Sequence, residues 1–338
     1  MSSSTLAVDE AHRERTRPRR RSITTVLQLN RLSGLYLGIA LIVLFGLWIP
    51  ETFLTQATLQ SILTDQAVTV ILALGVLVSL AAGQFDLSAA QTLGLAAVLM
   101  AWMTGNKGVD PTIAVVLTLA ACLFVGLVNG LLVAWVGINS FIATLATSSI
   151  LLAVTALVSQ NQYVGPVSAG FHDITSAKFL GLQVVVLYVV VLGVVVWYAL
   201  EHTPLGRRVL ATGASIDTAR LVGVRTNRYV VVSMMVTSLL AGIAGLLLAG
   251  RIGSVSSAIG PSYLLPAFAG CFLGTTQLKP GRFNVWGTIL SLYLLATGVK
   301  GFQLASGQDW VTYMFNGVAL VLAVGLAVTV ERRRTHST

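Results

Sequence analysis

From residue 33 onward, long apolar runs alternate with short polar stretches. A helix that crosses a bilayer needs about 20 predominantly apolar residues, with a range of roughly 17–25. Ten runs meet or approach that length: 33–50, 58–82, 88–104, 111–136, 139–159, 182–200, 229–250, 261–275, 284–304 and 309–330. The third and eighth are short for a span, and the connections at 83–87 and 137–138 are tight. The pattern predicts an all-α integral membrane protein of about ten transmembrane helices. Spans 2–5 and 7–10 each include a short segment beside a Gly-rich turn. Members of a pair stand five spans apart, an odd number, so the two halves would be inverted. Inverted repeats with interrupted helices mark transporters whose substrate path lies at the repeat interface.

The longest polar interruption is 201–228, EHTPLGRRVLATGASIDTARLVGVRTNR, with Arg207, Arg208, Arg220, Arg225 and Arg228. It reads either as a solvated basic hairpin or as two short surface helices. For the second reading, Pro204 can open a helix at its first turn and Gly213 breaks the run. Ser215 can cap a second helix over Ile216–Leu221, and Gly223 can end it.

Composition agrees with a membrane chain: 55% of residues are hydrophobic, 10% are charged and mean hydropathy is +0.85, against roughly 25% charged in soluble domains. The net charge of +9 would suit nucleic acid, but the charge is confined to loops and tails. Basic loops mark the cytoplasmic side. With the N-terminus inside, the inner face receives Arg13, Arg15, Arg17, Arg19, Arg20, Arg21 and Arg31, the five arginines of 201–228, Lys279, Arg282, and Arg332, Arg333 and Arg334. Only Lys107, Lys178, Arg251 and Lys300 remain for the outer face, out of 21 Lys and Arg in all. That split favours cytoplasmic termini and an even number of spans. Residues 1–32 read as a disordered basic cytoplasmic tail. The run at Arg19, Arg20, Arg21 and Ser22 resembles a twin-arginine signal, but no A-x-A site follows the first apolar run. Residues 33–330 read as the transmembrane domain and 331–338 as a second cytoplasmic tail.

No reactive constellation is visible, which argues against an intramembrane enzyme and for no metal or other cofactor. His12, His172, His202 and His336 lack ligand spacing, and Cys122 and Cys271 read as packing residues. There is no G-x-x-x-x-G-K-[ST] motif, so energy comes from a partner or an ion gradient. An ion-coupled carrier would want paired buried charges, and the spans hold little charge beyond Asp65 and Lys300. Asp86 reads as a helix cap or, less simply, as a substrate contact. Gln84, Ser88, Gln91, Asn129, Asn139, Ser140, Thr144 and Thr147 offer neutral donors and acceptors, as a sugar path requires. The same groups could instead link helices. Gly126, Gly130 and Gly245 read as close helix packing.

Five stretches, in order, resemble the ribose-type (carbohydrate uptake) ABC transporter permeases of the branched-chain amino acid/ribose permease superfamily. They are ILALGVLVSLAAGQFDLS at 71–88, NSFIATLAT at 139–147, TPLGRRVLATGASIDTARLVGV at 203–224, AGIAGLLLAG at 241–250 and FAGCFLGTTQLKPGRFNVWGT at 268–288. The resemblance implies a type II ABC importer-like fold, import of a ribose-like sugar, and residence in the cytoplasmic membrane. It also implies three partners: a second permease subunit, identical or paralogous, a cytoplasmic ATPase that performs the hydrolysis, and an extracytoplasmic binding protein. Gly206, Arg207, Arg208, Gly213, Ser215, Ala219, Arg220 and Gly223 match the family's ATPase-coupling loop. Gln84, Ala90, Ser215 and the Lys279-Pro280-Gly281 turn depart from the family wording and leave the solute open. A branched-chain amino acid is the alternative within this class.

Overall fold

The computed structural model describes residues 33–179, 181–308, 310–318, 320–321 and 325; the two expected tails lie outside them. The first helix, α1 (Ser33–Trp48), is followed by the single turn α2 (Pro50–Phe53). Thr55 caps α3 (Gln56–Ala81) by accepting the Thr58 amide. After a turn, α4 (Ala89–Ala101) continues into a π-helical turn, Trp102–Asn106. Pro111 at N1 and the Asp110 cap start α5 (Pro111–Leu131), which runs on through Leu132–Val136. The Asn139 cap starts α6 (Ser140–Ser159). A short helix, α7 (Ala169–Ser176), then leads to a hairpin of β1 (Lys178–Phe179) and β2 (Leu182–Gln183). The remaining helices are α8 (Val184–His202), α9 (Pro204–Ala214), α10 (Ile216–Leu221), α11 (Thr226–Ile252), α12 (Leu264–Gly274) behind the 3-10 turn Gly260–Tyr263, and α13 (Val285–Ser306). Residues 310–318 are helical as well.

Among the described residues, six helices are long and apolar enough to cross a membrane: α3, α5 with its extension, α6, α8, α11 and α13. α1, α4 and α12 are shorter. α3 and α11 form the centre, with 72% and 67% of their apolar windows buried, against 28% for α5, α6 and α8. The outer helices leave Phe124, Trp135 and Leu157 well exposed, a surface that water would not tolerate and lipid would.

The two central helices run antiparallel. Thr237 Oγ1 donates to the Gly75 carbonyl at 2.8 Å and Arg251 Nη1 to the Thr64 carbonyl at 3.1 Å. α5 lies against α11 through Gly126 and Gly130, where an added Cβ would come within 2.7 Å of Met234 O and of Val231 Cα. Gly245 does the same for α4, with Leu93 O at 2.3 Å.

Connections gather at two ends. One holds the turn after α3, the α5–α6 link, α9 and α10, and the loop after α12; Lys279 Nζ reaches Glu201 Oε2 there at 2.6 Å. The other holds residues 160–183 and the turn after α11. At this hairpin end Val164 bridges Val255, His172 Nδ1 lies 2.6 Å from the Gly250 carbonyl, and Gln60 Nε2 donates to Gly181 O at 3.0 Å. The basic end carries Arg207, Arg208, Arg220, Arg225, Arg228, Lys279 and Arg282; the hairpin end carries Lys107, Lys178, Arg251 and Lys300.

Residues 201–228 are two helices rather than a plain hairpin. Ser215 Oγ caps α10 by accepting the Thr218 amide at 3.3 Å, and Gly223 stops it at φ +82°. The break falls at Ser215, two places later than Gly213, because α9 continues to Ala214.

Candidate substrate path and coupling surface

Gly83, at φ +75°, turns the chain out of α3, and residues 84–88 lead it into α4. Side chains from α5 and α6 hold this turn. Ser140 Oγ accepts the Phe85 amide at 3.1 Å, and Thr144 Oγ1 accepts the Leu87 amide at 3.0 Å. Asp86, fully buried, accepts through Oδ1 from both the Ser88 amide and the Ser88 hydroxyl, at 3.0 and 2.6 Å. Asn129 Nδ2 donates to Ser88 Oγ at 2.8 Å, and Thr147 Oγ1 donates to Asn129 Oδ1 at 2.7 Å. Asp86, Ser88, Asn129, Thr144 and Thr147 thus bind one another or the turn's backbone; the first four are buried and Thr147 is half-buried, while Asp86 Oδ2 is buried without a hydrogen-bond partner among the described residues. Of the two readings open for these residues, the contacts are those of groups that link helices and cap the turn. Buried polar groups carry a large penalty unless paired, and here the nearest partners are one another. Gln91 is likewise buried and donates to Thr155.

Gln84, Asn139 and Ser140 do face open space, a cavity of ≈ 560 Å³ bounded on its far side by Arg220, Thr226 and Asn227. Asn139 also accepts the Phe141 amide as a cap. Phe85 stacks on Phe268 and Phe272 of α12, with ring centroids 6.3 and 6.5 Å away.

The basic loop is anchored to this turn. A Cβ on Gly213 would stand 2.2 Å from Ala81 O and 2.9 Å from Gly83 N. Gly206 is equally tight, 2.2 Å from Leu200 O. Arg208 donates to Tyr229 Oη at 2.8 Å, and Arg220 donates to Thr226 and Asn227. All three of these coupling-loop residues, Gly213, Arg208 and Arg220, therefore make contacts within the chain. Ala219 is buried as well, whereas Arg207 is exposed. What the loop offers outward is Leu221 and Val222, 88% and 74% exposed.

Residues 58–324 match the family described as branched-chain amino acid transport system / permease component. The chain belongs to that permease family. Its relatives include the ribose import permease protein RbsC of Bacillus subtilis, 29% identical over 86% of this chain and 91% of that one. The D-allose transport system permease protein AlsC of Escherichia coli is 26% identical over 87% and 90%, and the galactose/methyl galactoside import permease protein MglC of Haemophilus influenzae 30% identical over 85% and 91%. No solved structure matches this chain. A permease subunit transports and is not itself an enzyme.

Sequence reasoning missed one cluster in this permease. Asp65 of α3 pairs with Arg251 of α11, and Lys300 of α13 lies 4.0 Å from the same carboxylate. The signal was available. Asp65 and Lys300 are lone charges in otherwise apolar runs, and such charges seek each other.

Proposed function

We propose that this permease is the membrane-spanning subunit of an ATP-binding-cassette importer that passes a monosaccharide or a related small polar solute. One observation carries the reading: the chain is similar over 85–87% of its length to permeases named for ribose, D-allose and galactose. Neutral amides and hydroxyls around the 83–88 turn suit such a solute better than a zwitterionic branched-chain amino acid. ATP-dependent uptake into proteoliposomes tests it, with the permease assembled with its ATPase and supplied with its binding protein. A labelled monosaccharide should enter; leucine entering in its place would favour the amino acid reading.

The finer features belong to the same proposal. Ten spans with both termini in the cytosol account for the seven basic residues at one end and four at the other. Residues 1–32 and 331–338 are then cytoplasmic tails flanking a 33–330 permease domain in the cytoplasmic membrane. Antiparallel α3 and α11 support the inverted repeat: each ends at a positive-φ glycine, Gly83 or Gly253, followed by a turn and a short helix. Reporter fusions after Gly170 and after Ser215 should lie outside and inside; one shared compartment would defeat this topology.

The path runs past the 83–88 turn. Gln84, Asn139 and Ser140 face the solute, while Asp86, Ser88, Asn129, Thr144 and Thr147 keep the turn in shape. A cytoplasmic ATPase docks on α10, with Leu221 and Val222 as apolar contacts and Arg207 at the rim. Gly206, Arg208, Gly213, Ser215, Ala219, Arg220 and Gly223 hold the loop's geometry and connect docking to the turn. The binding protein meets the hairpin end, and a second permease subunit completes the pore within the surrounding lipid.

A further inference from the structure

Between α3, the Gly260–Tyr263 turn and α13 lies a second cavity of ≈ 200 Å³, at the end of the molecule opposite the basic loop. Gln66, Thr69, Tyr263, Lys300, Gln303 and Asn316 are among its lining residues. Drug-sized ligands fill roughly 300–1,000 Å³, so this one suits a smaller molecule. Its polar groups are unusually uncommitted. Thr64, Thr237 and Thr297 turn their hydroxyls back onto the carbonyl four residues earlier. Thr69, only 5% exposed, makes no such bond and has no hydrogen-bond partner among the described residues. Its hydroxyl is open to the cavity and can both donate to and accept from a ligand. Lys300 Nζ stands 4.0 Å from Asp65, its closest carboxylate partner, so its three donors remain open. Gln303 gives Nε2 to Thr312 at 2.7 Å and keeps its carbonyl oxygen. Asp65 also lines the cavity but is already paired with Arg251, so the charges there disfavour a cation, and a neutral ligand would take its hydrogen bonds from Lys300 and the uncharged groups. Tyr263 adds a ring with an apolar face.

We propose that this cavity is a monosaccharide-binding site on the hairpin side of the permease, with Gln66, Thr69 and Lys300 as its hydrogen-bonding residues. The inference rests on the sugar-import reading for the identity of its ligand and is separate from the path at the 83–88 turn.

Cys122 and Cys271 are fully buried, so a single introduced cysteine can report on the cavity. Asn316→Cys, or Gln66→Cys should the first fail to assemble, is labelled with a membrane-impermeant maleimide in the assembled, nucleotide-free transporter. D-ribose, D-allose, D-galactose, L-leucine and inorganic phosphate serve as probes. The sugar that the transporter imports should slow labelling, and adding Thr69→Val should weaken its apparent affinity by about fivefold, the effect of one lost hydrogen bond. Leucine and phosphate should leave labelling unchanged. Sugar import with no slowing by that sugar overturns the site and leaves the proposed function standing. Slowing by phosphate overturns it in favour of an anion site. Import of leucine and of none of the sugars removes both readings.

Discussion

At the 83–88 turn, Ser140 and Thr144 hold the backbone while Asp86, Ser88, Asn129 and Thr147 bond in series. At the hairpin-end cavity, Gln66, Thr69 and Lys300 stand open. Both regions adjoin the central helix α3, one at each end. The difference teaches that a polar residue in an apolar run does not declare its role by type. Where partners from neighbouring helices bond it, the group fixes a shape. Where they do not, it remains available to a ligand.

Crowding the joint between the basic loop and the turn should have the largest effect. Gly213→Val places carbon 2.2 Å from Ala81 O and 2.9 Å from Gly83 N, and both are backbone atoms that cannot swing away. Overpacking of this kind costs roughly 3 kcal/mol. Thermal unfolding in detergent should show a large loss, and the ATPase should no longer co-purify. Gly170→Ala in α7, which meets nothing within 4 Å, should leave both unchanged.

A comparable but local loss is expected from Ala219→Pro. The Ala219 amide donates to Ser215 O at 3.0 Å, and proline in a helix interior costs about 3 kcal/mol. Because α10 is a six-residue helix of the polar loop and not a membrane-spanning one, the membrane part should melt as before. Uptake and ATPase retention should fall together; wild-type values of both would reduce the loop to a basic tether.

The long central helices, the two short helices and the two-helix loop were legible in the sequence because each has a local cause. Ser215 and Gly223 bracket α10, and apolar length marks α3 and α11. The hairpin at 178–183 was not, since two residues per strand give no periodicity. Nor could sequence spacing separate Asn129 from Gln84. Asn129 finds Ser88 and Thr147 only once α4, α5 and α6 converge, whereas Gln84, also buried, lines the cavity with no side-chain hydrogen-bond partner among the described residues. The Asp65–Arg251 pair joins residues 186 apart, beyond any local pattern.

That separation can be measured. Asn129→Leu removes a donor to Ser88 and an acceptor for Thr147 inside a closed network, and hydrogen bonds between membrane helices contribute about 0.6–2 kcal/mol each. It should lower the unfolding midpoint clearly. Gln84→Leu breaks no side-chain hydrogen bond and should destabilise less than Asn129→Leu while reducing sugar uptake. Equal destabilisation by the two would erase the distinction between a group that holds the turn and one that faces the path.

The smallest effect is expected at the ion pair. The Asp65 side chain is 52% exposed and that of Arg251 24%, so water and salt screen their attraction. Exposed pairs contribute about 0–1 kcal/mol. Ser61 Oγ already donates to Asp65 Oδ2 at 2.7 Å, which keeps the carboxylate in position without the arginine. A double-mutant cycle of Asp65→Asn and Arg251→Gln should therefore give a coupling below about 1 kcal/mol, shrinking further in high salt. A coupling near 3 kcal/mol, insensitive to salt, would mean that the pair is shut away from water and locks α3 to α11. The hairpin end would then be as rigid as the 83–88 turn, and its open polar groups would have to be explained without a ligand.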